Sequence, residues 1–140
     1  MNLHFETCLE KNRIFIVQGI DKSAADELEA AQSDLASARR DLRAGDYKWI
    51  GTKAYFAILH AGRSLLYSEG YKAKDWHSLF VALVNLFGER LSHASLNCLL
   101  DAWRLKVAAE EDLEYSKESA EIILARTEQL IKETQIILDA

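Results

Sequence analysis

Apolar residues recur at alternating steps of three and four through Leu28, Ala31, Leu35, Ala38 and Leu42. An α-helix turns once every ~3.6 residues, so this spacing lines one face and predicts an amphipathic helix with that face buried. Ser23 is its N-cap candidate, with Asp26 where a capping box usually has Glu or Gln. Gly45, tolerant of positive φ, is its expected stop. Arg39, Arg40 and Arg43 fall in the last turns, where cations complement the helix dipole.

A second helix is predicted from Tyr47 to Ser68, ending at Gly70. It is apolar over most of its circumference, through Ile50, Ala54, Tyr55, Ile58, Leu59, Ala61, Leu65 and Leu66, which places it in the middle of a bundle. Gly62 costs roughly 1 kcal/mol relative to alanine in a helix interior, so a neighbouring backbone is expected to approach it closely. One stripe breaks the apolar pattern: Phe56, His60, Arg63 and Tyr67 follow at four, three and four. An arginine and a histidine on one stripe can bind a phosphate or carboxylate, the arginine bidentately and the histidine as donor or proton carrier. Equally, both can hydrogen-bond to neighbouring helices, and the pattern leaves the two readings open.

Three more helices follow. One starts after Asp75, a possible N-cap, with Leu79, Leu83 and Leu86 or Phe87 facing inward before Gly88. The next follows a loop with Ser92 and Ser95, its inner face read as Leu96, Leu99, Leu100, Trp103 and Val107. Its acidic end, Glu110, Glu111, Asp112 and Glu114, reads as solvated. The last is introduced by Ser116 and carries Ile123/Leu124, Leu130/Ile131 and Ile137/Leu138 every seven residues, a seam that closes the bundle or joins two subunits. Residues 1–20 lack this periodicity: Phe5, Cys8 and Leu9 suit one helical turn, followed by the apolar run Ile14, Phe15, Ile16, Val17. The expected fold is therefore all-α, an antiparallel up-and-down bundle of about five helices over residues 21–140, with an N-terminal arm at 1–20 packing over the bundle or a partner.

Composition agrees with this picture. A chain of 140 residues, 49% hydrophobic and 28% charged, suffices for one core, and its lack of proline permits long helices. A formal charge of −5 argues against a generally basic nucleic-acid binder and leaves room for a local basic strip. Cys8 and Cys98 have no metal-spaced partner, and none of His4, His60, His77 and His93 pairs at three or four on one helix. No metal or cofactor is expected. With neither a signal-peptide pattern nor an apolar run of membrane-spanning length, a cytoplasmic protein without a membrane partner is expected. There is no glycine-rich phosphate loop and no recognisable nucleophile set.

The segment Gly45-Asp46-Tyr47-Lys48-Trp49, followed by Ala54-Tyr55-Phe56-Ala57-Ile58-Leu59-His60-Ala61-Gly62-Arg63-Ser64-Leu65-Leu66-Tyr67-Ser68-Glu69-Gly70-Tyr71, resembles the central helix of the prokaryotic branch of the HEPN family. Tyr115-Ser116-Lys117-Glu118-Ser119-Ala120 is similar to the start of that branch's last helix. The resemblance implies an antiparallel helical bundle, often a homodimer. Such proteins are frequently encoded beside a small nucleotidyltransferase with which they form a toxin and antitoxin pair. Active members are metal-independent ribonucleases that use an arginine and a histidine with four to six residues between them, brought together across a dimer cleft.

In this chain no arginine is followed by a histidine at that distance; Arg90 precedes His93 by only two intervening residues. The branch's R-x-x-A-D-Y segment is represented by Lys106-Val107-Ala108-Ala109-Glu110-Glu111, which lacks the arginine's planar fork and the tyrosine's hydroxyl. The histidine that opens the branch's third helix falls on Trp76, with His77 beside it and turned by about 100°.

The resulting expectation is a binding or regulatory protein for a nucleotide or RNA, acting as a homodimer or with a nucleotidyltransferase partner and without a self-sufficient nuclease site. Tyr55, His60, Arg63, Tyr67, His77 and Arg104 are the candidate ligand-binding residues, and none is assigned as catalytic. Two alternatives stand beside it. One is a ribonuclease with a rearranged site, in which His60, Arg63, His77 and Arg104 converge from three helices, histidine as general base and arginine stabilising the phosphate. The other is a purely structural dimerisation module.

Overall fold

The computed structural model describes residues 3–17, 21–111 and 115–140. Among them are six helices and two short strands: α1 (Leu3–Glu10), β1 (Ile14–Ile16), α2 (Asp21–Arg43), α3 (Ile50–Ser68), β2 (Tyr71–Ala73), α4 (Trp76–Phe87), α5 (His93–Glu110) and α6 (Lys117–Asp139). The five predicted helices are α2 to α6. The extra helix and a strand belong to the N-terminal segment, where the expected helical turn around Phe5, Cys8 and Leu9 lies within α1 and the apolar run holds β1. β1 pairs antiparallel with β2, Ile14 opposite Ala73, Phe15 opposite Lys72 and Ile16 opposite Tyr71. A two-stranded ribbon is marginal alone, and here buried side chains anchor it. Phe5, Cys8 and Ile14 join the core, and the Phe5 ring meets Tyr71 edge to face with centroids 5.8 Å apart.

α2 buries Leu28, Ala31, Leu35 and Ala38 of the face its periodicity predicted and Ala24 in addition, while Leu42 at its end is only partly buried. The helix already runs at Asp21, so Ser23 lies in its first turn and is not the cap. The preceding residues 18–20 lie outside those described. Gly45 (φ +74°) ends it as expected: its N–H bonds to Leu42 C=O at 3.1 Å and that of Asp46 to Asp41 C=O at 2.9 Å, a Schellman closure. α3 begins at Ile50 rather than Tyr47, because the Asp46 carboxylate accepts the Lys48 N–H at 3.3 Å, a local turn that competes with helix.

α3 is the central element, packed against α2, α4, α5, α6 and β2. Alanines at 31 and 38 on α2 and at 54, 57 and 61 on α3 are all buried, and such small side chains let helices approach closely. At Gly62 the neighbours are side chains rather than the expected backbone: an added Cβ would sit 3.1 Å from Leu83 Cδ1 and 3.6 Å from both Leu79 and Leu99 Cδ2. Sequence reading did not single out Gly51, whose bare Cα is covered by the ring of Tyr115.

α4 starts as predicted, with Asp75 Oδ1 accepting the Ser78 N–H at 2.8 Å, and buries Leu79, Leu83 and Phe87. α5 corrects the predicted face. Its inner side is Ser95, Cys98, Leu99 and Ala102, whereas Leu100, Trp103 and Val107 are exposed. Three of those four inner residues are small, so the hydrophobicity of the outer row misled the assignment. Of the acidic end, Glu111 is exposed, while Asp112 and Glu114 lie outside the described residues. α6 is capped by Ser116, whose Oγ accepts the Ser119 N–H at 3.1 Å, and buries Leu124, Leu130 and Ile131, closing the bundle. Arg39 does more than complement a dipole: it reaches Glu128 of α6 at 2.6 Å.

Candidate functional site

The polar stripe of α3 divides between two neighbours. His60 turns toward α2, where Nδ1 lies 2.5 Å from Glu27 Oε2 and Nε2 3.7 Å from Asp34 Oδ2. Arg63, one turn on, faces a cleft of about 220 Å³ bounded by α3, the β2–α4 connection and α5. Tyr55, Arg63 and Tyr67 line this cleft together, joined by Lys74 and Asp75 from the connection, by Trp76 at the start of α4 and by Trp103 and Lys106 from α5.

The charge balance favours an anion: three cations, Arg63, Lys74 and Lys106, face one carboxylate. That carboxylate, Asp75, is already engaged as the α4 cap, and its pKa is held below the ordinary value chiefly by the Ser78 N–H, with Arg13 and His77 adding to the effect against burial. Arg63 is half-buried and makes no ion pair or hydrogen bond among the described residues, so its five donors are unspent. A guanidinium that opens onto a cleft with no internal partner can exchange its hydration for a charge-assisted contact with an anion.

Burial raises the Tyr55 phenol above its usual pKa against the opposing pull of Arg63. Tyr67 is raised likewise by burial and by Glu27, again opposed by Arg63. Both hydroxyls therefore keep their protons at neutral pH and can donate to an acceptor. The apolar share comes from Trp76, its ring centroid 6.1 Å from that of Tyr55, and Trp103, with Lys106 Nζ 4.6 Å from its centroid. Oriented N–H and O–H donors beside flat aromatic walls suit a phosphate attached to a planar, ring-bearing group.

The structure thus gathers Tyr55, Arg63 and Tyr67 and leaves the other three candidates apart. His60 is held by α2. His77 is exposed beside Asp75 without lining the cleft, and the Arg104 side chain is 86% exposed, 3.7 Å from Asp101. His60, Arg63, His77 and Arg104 do not converge. Sequence reasoning did not choose Lys74, Trp103, Trp76 or Lys106 as ligand contacts. A signal existed for the last two: the residues that depart from the family pattern, Trp76 for histidine and Lys106 for arginine, both fall in the cleft.

Elsewhere, no group of three or more His, Cys, Asp or Glu side chains is placed to hold a metal ion among the described residues. Cys8 and Cys98 are buried free thiols, and burial, with Asp101 adding and Arg126 opposing, pushes Cys98 up to about 11, far from a reactive thiolate. No helix among the described residues is long and apolar enough to cross a membrane. Compared with known families, residues 24–137 match the model described as HEPN domain. Comparison with curated proteins gave no match.

Proposed function

The chain belongs to the HEPN domain family, and on that footing we propose that it is a binding protein of nucleotide or RNA biology that holds a phosphate of its ligand in the Arg63 cleft. The observation that carries this reading is the half-buried Arg63 guanidinium, unpaired among the described residues and flanked by two protonated phenols. No histidine lines the cleft among the described residues, which favours binding over phosphodiester cleavage there. A second copy of the chain and a nucleotidyltransferase, in a toxin and antitoxin setting, complete the proposal as partners. Leu100 and Val107, exposed on α5 on either side of the cleft residue Trp103 in sequence, are where a protein partner would meet the rim of the cleft.

Calorimetric titration with uridine 5′-monophosphate and with uridine tests the cleft. The monophosphate should bind and the nucleoside should not, and Arg63→Ala should weaken the monophosphate by roughly tenfold or more, the value of a charge-assisted bidentate contact. Equal binding of the two ligands, or an Arg63→Ala protein of unchanged affinity, overturns the reading.

A further inference from the structure

The β1–β2 register continues one pair beyond the ladder, where the Lys74 N–H donates to Arg13 C=O at 2.8 Å beside the Ile14–Ala73 pair. Side chains alternate along strands, so Arg13 and Phe15 of one strand share a face with Lys72 and Lys74 of the other. Ile14 points to the opposite side and is buried. Three separate relationships set the Arg13–Phe15–Lys72–Lys74 face beside the cleft. Lys74 lines it, Lys72 Nζ stands 5.3 Å from the ring centroid of the lining residue Tyr67, and Arg13 acts on the carboxyl of the lining residue Asp75.

None of Arg13, Lys72 and Lys74 forms an ion pair among the described residues. In a chain of net charge −5, three cations outside any ion pair on one face are not the by-product of a basic surface. Phe15 stands partly exposed among them. A mononucleotide bound at Arg63 would leave this row idle. A nucleic-acid strand carries a phosphate at every nucleotide and, when single, offers unstacked bases to aromatic rings. We infer that the ribbon face extends the cleft into a track for single-stranded RNA, with one nucleotide at Arg63 and its neighbours running over Lys72 and Arg13. The inference rests on the phosphate-binding reading of the Arg63 cleft.

Fluorescence anisotropy with a labelled oligouridylate of about six nucleotides, a length typical of single-strand grooves, tests it against calorimetry with uridine 5′-monophosphate. The oligomer should bind roughly tenfold or more tighter than the monophosphate. The Arg13→Ala/Lys72→Ala double variant should lose roughly that gain, flatten the salt dependence by about 0.7 log units per cation removed, and bind the monophosphate as the parent does. Lys72→Glu, a charge reversal at the surface, should cost more than Lys72→Ala, with circular dichroism showing an unchanged fold. An oligomer that binds no tighter than the monophosphate, or is indifferent to the double variant, overturns the track and leaves the cleft reading standing. A duplex that binds as tightly as the single strand also overturns the track, and binding of neither ligand removes both.

Discussion

The Glu133 carboxylate on α6 accepts the Ser92 backbone N–H at 2.7 Å, joining positions 41 residues apart. It also takes the hydroxyls of Ser92 and Ser95, each at 2.8 Å, and Gln129 Nε2 at 3.1 Å, so one side chain serves the start of α5. Burial alone would raise its pKa, and the hydrogen bonds outweigh it, leaving the group below its ordinary 4.5. A carboxyl lowered by folding stabilises above its unfolded value, and that contribution disappears as pH falls through the folded value. Glu133→Gln is expected to lower stability by about 1–3 kcal/mol at neutral pH, with the gap narrowing below pH 4.5. Thermal denaturation across pH measures this, and a gap that stays constant into acid would refute it.

Gly51 and Tyr115 form a notch and its filling. An added Cβ would overlap the tyrosine ring, so Gly51→Ala should destabilise by on the order of 1 kcal/mol despite alanine's better helix propensity. In a Tyr115→Ala background the same change should become neutral or stabilising. Urea denaturation of the four proteins of this cycle gives the coupling directly, and additive effects would show that the ring does not depend on the notch.

His60 is assigned to the α2–α3 interface, not to the ligand. His60→Ala is expected to lower stability by about 1 kcal/mol and to leave uridine 5′-monophosphate affinity within about twofold. The decisive companion assay incubates structured and unstructured RNA with the purified protein. Turnover that vanishes in His60→Ala or His77→Ala would restore the nuclease alternative.

The helices of the bundle were legible because long amphipathic segments repeat their pattern several times, and Gly45, Asp75 and Ser116 carry local stop and start chemistry. The ribbon was not, since three-residue strands such as Tyr71–Ala73 show no period to read. On α5 the small inner residues hid the buried face behind Leu100, Trp103 and Val107. Within the candidate site, Arg63 and Tyr67 stood out on one helical stripe, whereas Tyr55 was grouped with the apolar positions of the same helix. Lys74, Trp103 and Lys106 come from other elements, and only the packing of α3, α5 and the β2–α4 connection brings them there. Glu27 captured His60 from a different helix, a contact that periodicity along α3 cannot reveal.

Pairing Ile14 with Ala73 closes a loop that contains both α2 and α3. Loop-closure entropy makes such a long-range pairing costly until the intervening helices have docked, so the ribbon is expected to form late in folding and to be among the first parts to open. Lys74 belongs to that late-forming edge, whereas Arg63 belongs to the helix at the centre of the bundle. One wall of the cleft is therefore expected to exchange with solvent on a faster clock than the other. A ligand that bridges the two should slow amide hydrogen exchange at the ribbon most of all.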